Sequence, residues 1–143
     1  MKLRELRLSY EPTEIEAEIY LTCPREAIAC VQGRLEHEAV EVCLVLLLNT
    51  KNRVIGVHEL GRGSVDMCTC HPRDAIKVAL LANATAIVVA HNHPSGIPDP
   101  SAEDLALLER TRSACLLMGI TLLDFAIVGH GRYYSAKEGG LIA

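Results

Sequence analysis

The chain reads as an α/β domain, a mixed β-sheet flanked by helices, and three observations predict that class. Short β-branched apolar runs such as Ala86-Ile87-Val88-Val89-Ala90 have the length and composition of buried strands. Two segments, Pro24-Arg25-Glu26-Ala27-Ile28 and Pro72-Arg73-Asp74-Ala75-Ile76, open with proline at the first position of a helix, where its missing N–H costs nothing. Taken along the chain, the order is helix, hairpin, strand, helix, strand, helix, hairpin, which builds a sheet with helices on its faces. With 143 residues, half of them apolar, there is material for one compact domain with a substantial core.

Residues 1–21 read as an N-terminal edge strand or arm, because Leu6, Leu8 and Tyr10 alternate with charged residues. Glu11, Glu14, Glu16 and Glu18 make the end of that arm an acidic, solvated stretch. The domain proper is expected over 22–143. After the helix from Pro24 comes the run Glu41-Val42-Cys43-Leu44-Val45-Leu46-Leu47-Leu48, then a turn at Asn49-Thr50-Lys51-Asn52 and a strand-like segment from Arg53 to Leu60. So short a connection predicts an antiparallel hairpin. Gly61-Arg62-Gly63-Ser64 is expected to break the strand before another strand-like stretch, Val65 to Cys70. As a phosphate loop this Gly-x-Gly carries little weight, since no Lys-Ser/Thr follows and no helix begins at once.

The helix from Pro72 is expected to turn Ile76, Ala79 and Leu80 inward and to end on Asn83 in a left-handed conformation. A further helix opens at Ser101, its N-cap, with Leu105, Leu108, Thr111, Cys115 and Met118 recurring at three- and four-residue steps. Gly119 ends it. Ile120 to Val128 reads as a buried strand containing Asp124, which needs a partner there. Gly129-His130-Gly131 supplies a turn into a last short strand, Arg132 to Ser135, and makes His130 a turn residue.

The stretch Ala90 to Asp104 concentrates the chemistry. His91 and His93 close a strand, and because side chains alternate along it they point the same way, with Asn92 opposite. Pro94, Gly96, Pro98 and Pro100 then force the chain out of the sheet. Asp104, three residues beyond the cap Ser101 and four before Leu108, borders the buried stripe of its helix, where a carboxylate needs a partner. Two neutral imidazoles and one carboxylate are a ligand set for catalytic zinc, which keeps a fourth position for water and lowers the pKa of that water to about 7. One zinc ion per chain is the cofactor these residues imply.

His91-x-His93, seven residues, Ser101, two residues, Asp104 resembles the JAMM metalloprotease motif, and His91-Asn92-His93-Pro94-Ser95-Gly96 is similar to its RadC-like branch. The resemblance runs from about Thr22 to Ser135. It implies the JAB/MPN fold, with its cytidine deaminase-like layout, zinc on His91, His93 and Asp104, a glutamate base, and a serine, Ser101, that polarises the substrate carbonyl. In that family the glutamate precedes an apolar strand upstream of the histidines, a pattern matched by Glu41; Glu59 and Glu38 are the rivals. A charge guarding an edge strand is the structural alternative for Glu41. Asn92 stands where other JAMM enzymes carry serine or threonine, which leaves peptide specificity open. RadC-like proteins usually carry a helix-hairpin-helix-type module before the metal domain; no room for one is expected in this chain.

The leading expectation is zinc-dependent hydrolysis of a peptide, isopeptide or related amide. One competing reading is a DNA-repair or mobile-element accessory protein that binds a partner and uses zinc structurally. The other is metal-dependent phosphoester cleavage, which wants further carboxylates; only Asp99 and Glu103 are near, and they read as turn and helix surface. Deaminase chemistry lacks its His-x-Glu and Cys-x-x-Cys signature. The net charge of −4 and the absence of a basic run argue against a nucleic-acid backbone as the principal ligand, and one phenylalanine without tryptophan gives no base-stacking platform; a local basic face stays open. Cys68-Thr69-Cys70-His71 lacks the usual metal-ligand pairing and reads as structural. No signal peptide or membrane span is expected, and the six cysteines follow no secreted framework, so a cytoplasmic setting with reduced thiols is expected. Oligomeric state is left open.

Overall fold

A computed structural model describes residues 2–7, 9, 11, 17–63 and 70–143. Helix α1 (Pro24–Leu35) leads into strands β1 (Val42–Leu48) and β2 (Val54–Arg62). Helix α2 (Pro72–Leu81), strand β3 (Ala86–Asn92), helix α3 (Ala102–Met118), strand β4 (Thr121–Val128) and strand β5 (Tyr133–Ser135) follow. The five strands form one sheet in the order β2-β1-β3-β4-β5, a mixed α/β architecture consistent with the JAB domain. All neighbouring strands are antiparallel except β3 and β4, whose parallel pairing requires the crossover that α3 supplies.

Both faces of the sheet are covered, so the central strands β1 and β3 are buried along their whole length. Alternation sorts the residues. Cys43, Val45, Leu47, Ile87 and Val89 enter the core shared with α2 and α3, whereas Val42, Leu44, Leu46, Val88 and Ala90 pack toward α1. Each fully buried branched side chain contributes roughly 1.5–3 kcal/mol, so a one-residue slip of either central strand would forfeit many such terms and is strongly disfavoured. The same parity sends Glu41, His91 and His93 to the face of α2 and α3.

The left-handed residues fall where the sequence places them, at Asn83 with φ of 54° and at Gly119 with φ of 68°. Buried Asp124 finds its partners in the Ser135 hydroxyl, which donates to it at 2.6 Å, and in the amides of Phe125 and Lys137, at 2.8 and 3.0 Å. These bonds tie β4 to β5.

Three local expectations are corrected. Strand β2 does not stop at Gly61: Gly61 pairs with Cys43 and Arg62 with Val42 across an irregular register, as an edge strand with a bulge allows. Leu80 lies outward and Ala75 takes its place, so Pro72, Ala75 and Ala79 form the buried side of α2. On α3 the buried stripe is Asp104, Leu108, Thr111 and Cys115, while Leu105 and Met118 are exposed. It is centred one residue earlier than the apolar spacing suggests, because Asp104 is drawn inward. Of the expected edge strand or arm, the described residues 2–7, 9 and 11 are exposed and carry no strand, and among the described residues Tyr20 bridges to Arg53. The readings at Leu8, Tyr10, Glu14, Glu16 and Ser64 to Thr69, including Cys68, lie outside the described residues.

Candidate metal centre

Strand β3 carries His91 to the end of the sheet, and the chain continues the pairing for one more residue, the His93 amide donating to the Val128 carbonyl at 3.0 Å. The imidazoles of His91 and His93 therefore stand together, with ring centres 5.2 Å apart. The turn that follows is held by Gly96, whose φ is 84° and whose missing side chain makes room for the His130 ring. His130 itself is exposed in the turn after β4 and is not among the grouped metal-ligand candidates.

Asp104 arrives from the first turn of α3 through a capping box. Its amide donates to the Ser101 hydroxyl oxygen at 3.1 Å, and its carboxylate accepts the Ser101 amide at 2.9 Å. The box orients the carboxylate toward the sheet, where Oδ1 lies 3.0 Å from His91 Nε2 and Oδ2 lies 3.0 Å from His93 Nε2.

Glu41 comes from the chain just before β1. Its Oε1 lies 3.4 Å from His91 Nε2, and one donor atom from each of Glu41, His91, His93 and Asp104 falls within 4.8 Å of the others. The link that brings it there is Asn92. Pointing to the opposite face, Asn92 accepts the Val42 amide at 2.7 Å and donates to the Val40 carbonyl at 3.0 Å, so the residue between the histidines grips both neighbours of Glu41. Strand β1 is central, with β2 and β3 on either side, so Glu41 is not an edge-strand charge. Its rivals are engaged elsewhere: Glu59 and Glu38 both pair with the Arg62 guanidinium.

The arrangement fits a metal ion on two counts. His93 Nδ1 is 2.8 Å from the Ile97 carbonyl, which can only accept, so Nδ1 carries the proton and Nε2 of the neutral ring presents a lone pair to the Asp104 carboxylate. Two acceptors at that distance require a cation or a proton between them. His91 is 1% exposed, and neither of its ring nitrogens makes a well-aligned hydrogen bond among the described residues. A buried imidazole without such bonds is costly unless something coordinates it.

The electrostatics follow from this crowding. Burial pushes the Asp104 carboxyl up, but the two imidazoles and the Ser101 amide outweigh it and hold the group well below the usual carboxylate range. The bond to Asp104 raises His93 against the opposing effect of burial. Burial raises Glu41, and the Asp104 charge adds to that, while His91 opposes it. A carboxyl raised in this way is a stronger base than an ordinary glutamate, as a group that takes up a proton and hands it on needs to be.

A cleft of about 480 Å³ lies over the centre. Ser101 lines it; with its oxygen accepting the Asp104 amide, its hydroxyl proton is left to donate. Glu103 lines the cleft too but is not among the grouped ligands, and neither is Asp99. Cys43, Cys70 and Arg110 also line it; spacing along the chain singled out none of them for this site, and Cys70 entered only through Cys68-Thr69-Cys70-His71. Cys43 sits two residues after Glu41 on the same face, a parity argument that finds it in retrospect. Among the described residues, Cys70 and His71 belong to no second metal group: Cys70 Sγ lies 3.0 Å from Cys43 Sγ, and His71 caps α2 by accepting the Arg73 amide at 3.0 Å. No described helix is long and apolar enough to cross a membrane.

A mixed sheet with helices on both faces and a two-histidine, two-carboxylate cluster at one end of its central strands defines an α/β domain with a candidate metal centre. The match to the RadC-like JAB domain over residues 21–141 assigns the family, and the chain belongs to it. Among curated relatives, a UPF0758 protein of Clostridium beijerinckii is 38% identical over 90% of this chain and 56% of its own length. A UPF0758 protein of Actinobacillus pleuropneumoniae is 39% identical over 94% of this chain and 61% of its own length, and one of Coxiella burnetii is 38% identical over 96% and 62%. The chain thus spans roughly three-fifths of the length of these relatives. The family is consistent with a hydrolase.

Proposed function

We propose that the protein is a zinc-dependent amide hydrolase of JAMM type, acting on a peptide, isopeptide or related amide. The observation that carries this reading is the position of Glu41, 3.4 Å from His91 and beside the Asp104 carboxylate, at the floor of an accessible cleft. His91, His93 and Asp104 would hold the ion. Bound there, zinc acts as a Lewis acid toward a water molecule and the substrate carbonyl. Glu41 takes the proton of the attacking water as its oxygen bonds to the carbonyl carbon. It then returns that proton to the amine as the C–N bond breaks. The Ser101 hydroxyl donates to the oxygen that gains charge in between. A cytoplasmic setting belongs to the same reading, in keeping with five described cysteines that no disulfide joins.

A second reading draws on the same proximity. Glu41 stands close enough to serve as a fourth ligand, and a centre closed by four protein groups is structural, as in an accessory protein that binds a partner. Metal analysis and peptide cleavage by the zinc-loaded protein and by Glu41→Gln separate the two. A base leaves one zinc per chain in the variant and abolishes turnover; a fourth ligand weakens zinc binding itself. Zinc-loaded wild-type protein that cleaves no member of a peptide library overturns the hydrolase reading.

A further inference from the structure

The cleft over the centre has an acidic floor and one permanent cation among its described lining residues. Glu41, Glu103 and Asp104 face it from the metal end, and Arg110 faces it from farther along α3. Glu103, Ala106, Leu107 and Arg110 recur at the spacing of one helical stripe, so α3 forms a continuous wall from the centre to the guanidinium, with an apolar step between.

Among the described residues, no carboxylate engages Arg110. Its Nη2 lies 2.9 Å from Nε2 of His71, the residue that caps α2. His71 Nδ1 accepts the Arg73 amide, so the proton of the neutral ring sits on Nε2. The contact therefore sets one donor against another on exposed side chains, Arg110 lining the cleft and His71 standing beside it. Two converging donors are satisfied together by an acceptor lying between them, and a carboxylate has the two oxygens for it.

We infer that Arg110, with His71, anchors a carboxylate of the substrate, so that the bond cut lies near a C-terminus or an acidic side chain. This rests on the hydrolase reading above. Arg110 stands six residues beyond Asp104, about 9 Å of helix rise, and its side chain leans back toward the amino end, which sets the carboxylate on the order of one to three extended residues from the scissile bond. A nucleic-acid phosphate is disfavoured, because a polyanion entering the cleft would run along Glu41, Glu103 and Asp104 in a chain of net charge −4. A single carboxylate is not.

The test uses short acetylated peptides in three sets: free C-terminal carboxylate, C-terminal amide, and C-terminal amide with one glutamate placed at each position in turn. Zinc-loaded protein is expected to cleave one or both carboxylate sets about 10- to 100-fold better in kcat/KM than the uncharged set, chiefly through KM. Which set is preferred tells a terminal carboxylate from a side-chain one. Arg110→Gln removes the preference and Arg110→Lys keeps part of it. His71→Asn, which retains a capping side chain, lowers the preference without removing it. Equal cleavage of all sets, or a preference that survives Arg110→Gln, overturns the inference and leaves the hydrolase reading intact. Should no set be cleaved, the hydrolase reading fails, and calorimetry with zinc-loaded Glu41→Gln protein decides the anchor. Tighter binding of carboxylate peptides that Arg110→Gln removes supports it; equal binding overturns it. Displacement of these peptides by a single-stranded oligonucleotide that itself depends on Arg110 also overturns it.

Discussion

Asn92 accepts the amide proton of Val42 at 2.7 Å, a buried bond between residues fifty positions apart that closes the end of β3 onto the start of β1. With the second bond to the Val40 carbonyl, it fixes the backbone on both sides of Glu41. One side chain on the α1 face thereby sets a distance on the other.

Asn92→Ala is expected to destabilise the protein by roughly 1–3 kcal/mol, since it leaves a buried amide and carbonyl without their partner. Denaturant unfolding of the metal-free protein reads this directly. An unchanged midpoint with unchanged slope would show that the clamp contributes nothing.

Glu41→Gln is expected to keep fold and zinc content while turnover falls by about 10²-fold or more. In the metal-free protein the Glu41 carboxyl should titrate above the ordinary glutamate value of about 4.3, because burial raises it and the neighbouring Asp104 charge adds to that. Titration of the metal-free protein that places Glu41 at or below that value would overturn this account of its surroundings.

For the metal-free protein the signs of two shifts define a window. Asp104 is depressed in the folded state, so its contribution is present above the unfolded value of about 3.9 and is lost as pH falls through the folded one. His93 is raised, so its contribution is complete below about 6.5 and is lost as pH rises through the folded value. Stability of the metal-free protein should therefore be greatest on the mildly acidic side and decline toward alkaline pH. Denaturation across pH should find that decline suppressed by saturating zinc and absent in Asp104→Asn.

Ser101→Ala removes both a helix cap, worth about 1 kcal/mol, and a donor to the reacting oxygen, worth about 10²- to 10³-fold in turnover. Ser101→Thr retains both groups and should recover most of the loss. Kinetics and thermal unfolding on the two variants separate the contributions; full activity in Ser101→Ala would remove the serine from the reaction.

Gly96→Ala is expected to cost about 1–3 kcal/mol, because the residue has φ of 84° and an added Cβ would lie 2.5 Å from His130 Nδ1. As the turn follows directly on His93, zinc affinity should fall with it. Wild-type zinc affinity in Gly96→Ala would show that the turn and the ligand are independent.

Much of this domain is written in local terms. Strand parity puts His91 and His93 on one side whatever surrounds them, Ser101 and Asp104 meet within one helical turn, and Asn83 and Gly119 end helices through their own backbone preferences. Those features depend on neighbours a few residues away, and spacing along the chain records them. The pairing of β1 with β3 is of another kind. It carries Glu41 to the histidines, while Glu59 and Glu38 pair with Arg62, and it gives Asn92 its two partners; the packing of α2 on α3 brings Arg110 against His71. The burial of Asp104 in preference to Leu105 is likewise a matter of what lies opposite α3, two imidazoles in place of an apolar surface. Contacts between segments dozens of residues apart leave no periodicity in a single chain, because they are decided by which faces the packed sheet and helices turn toward one another.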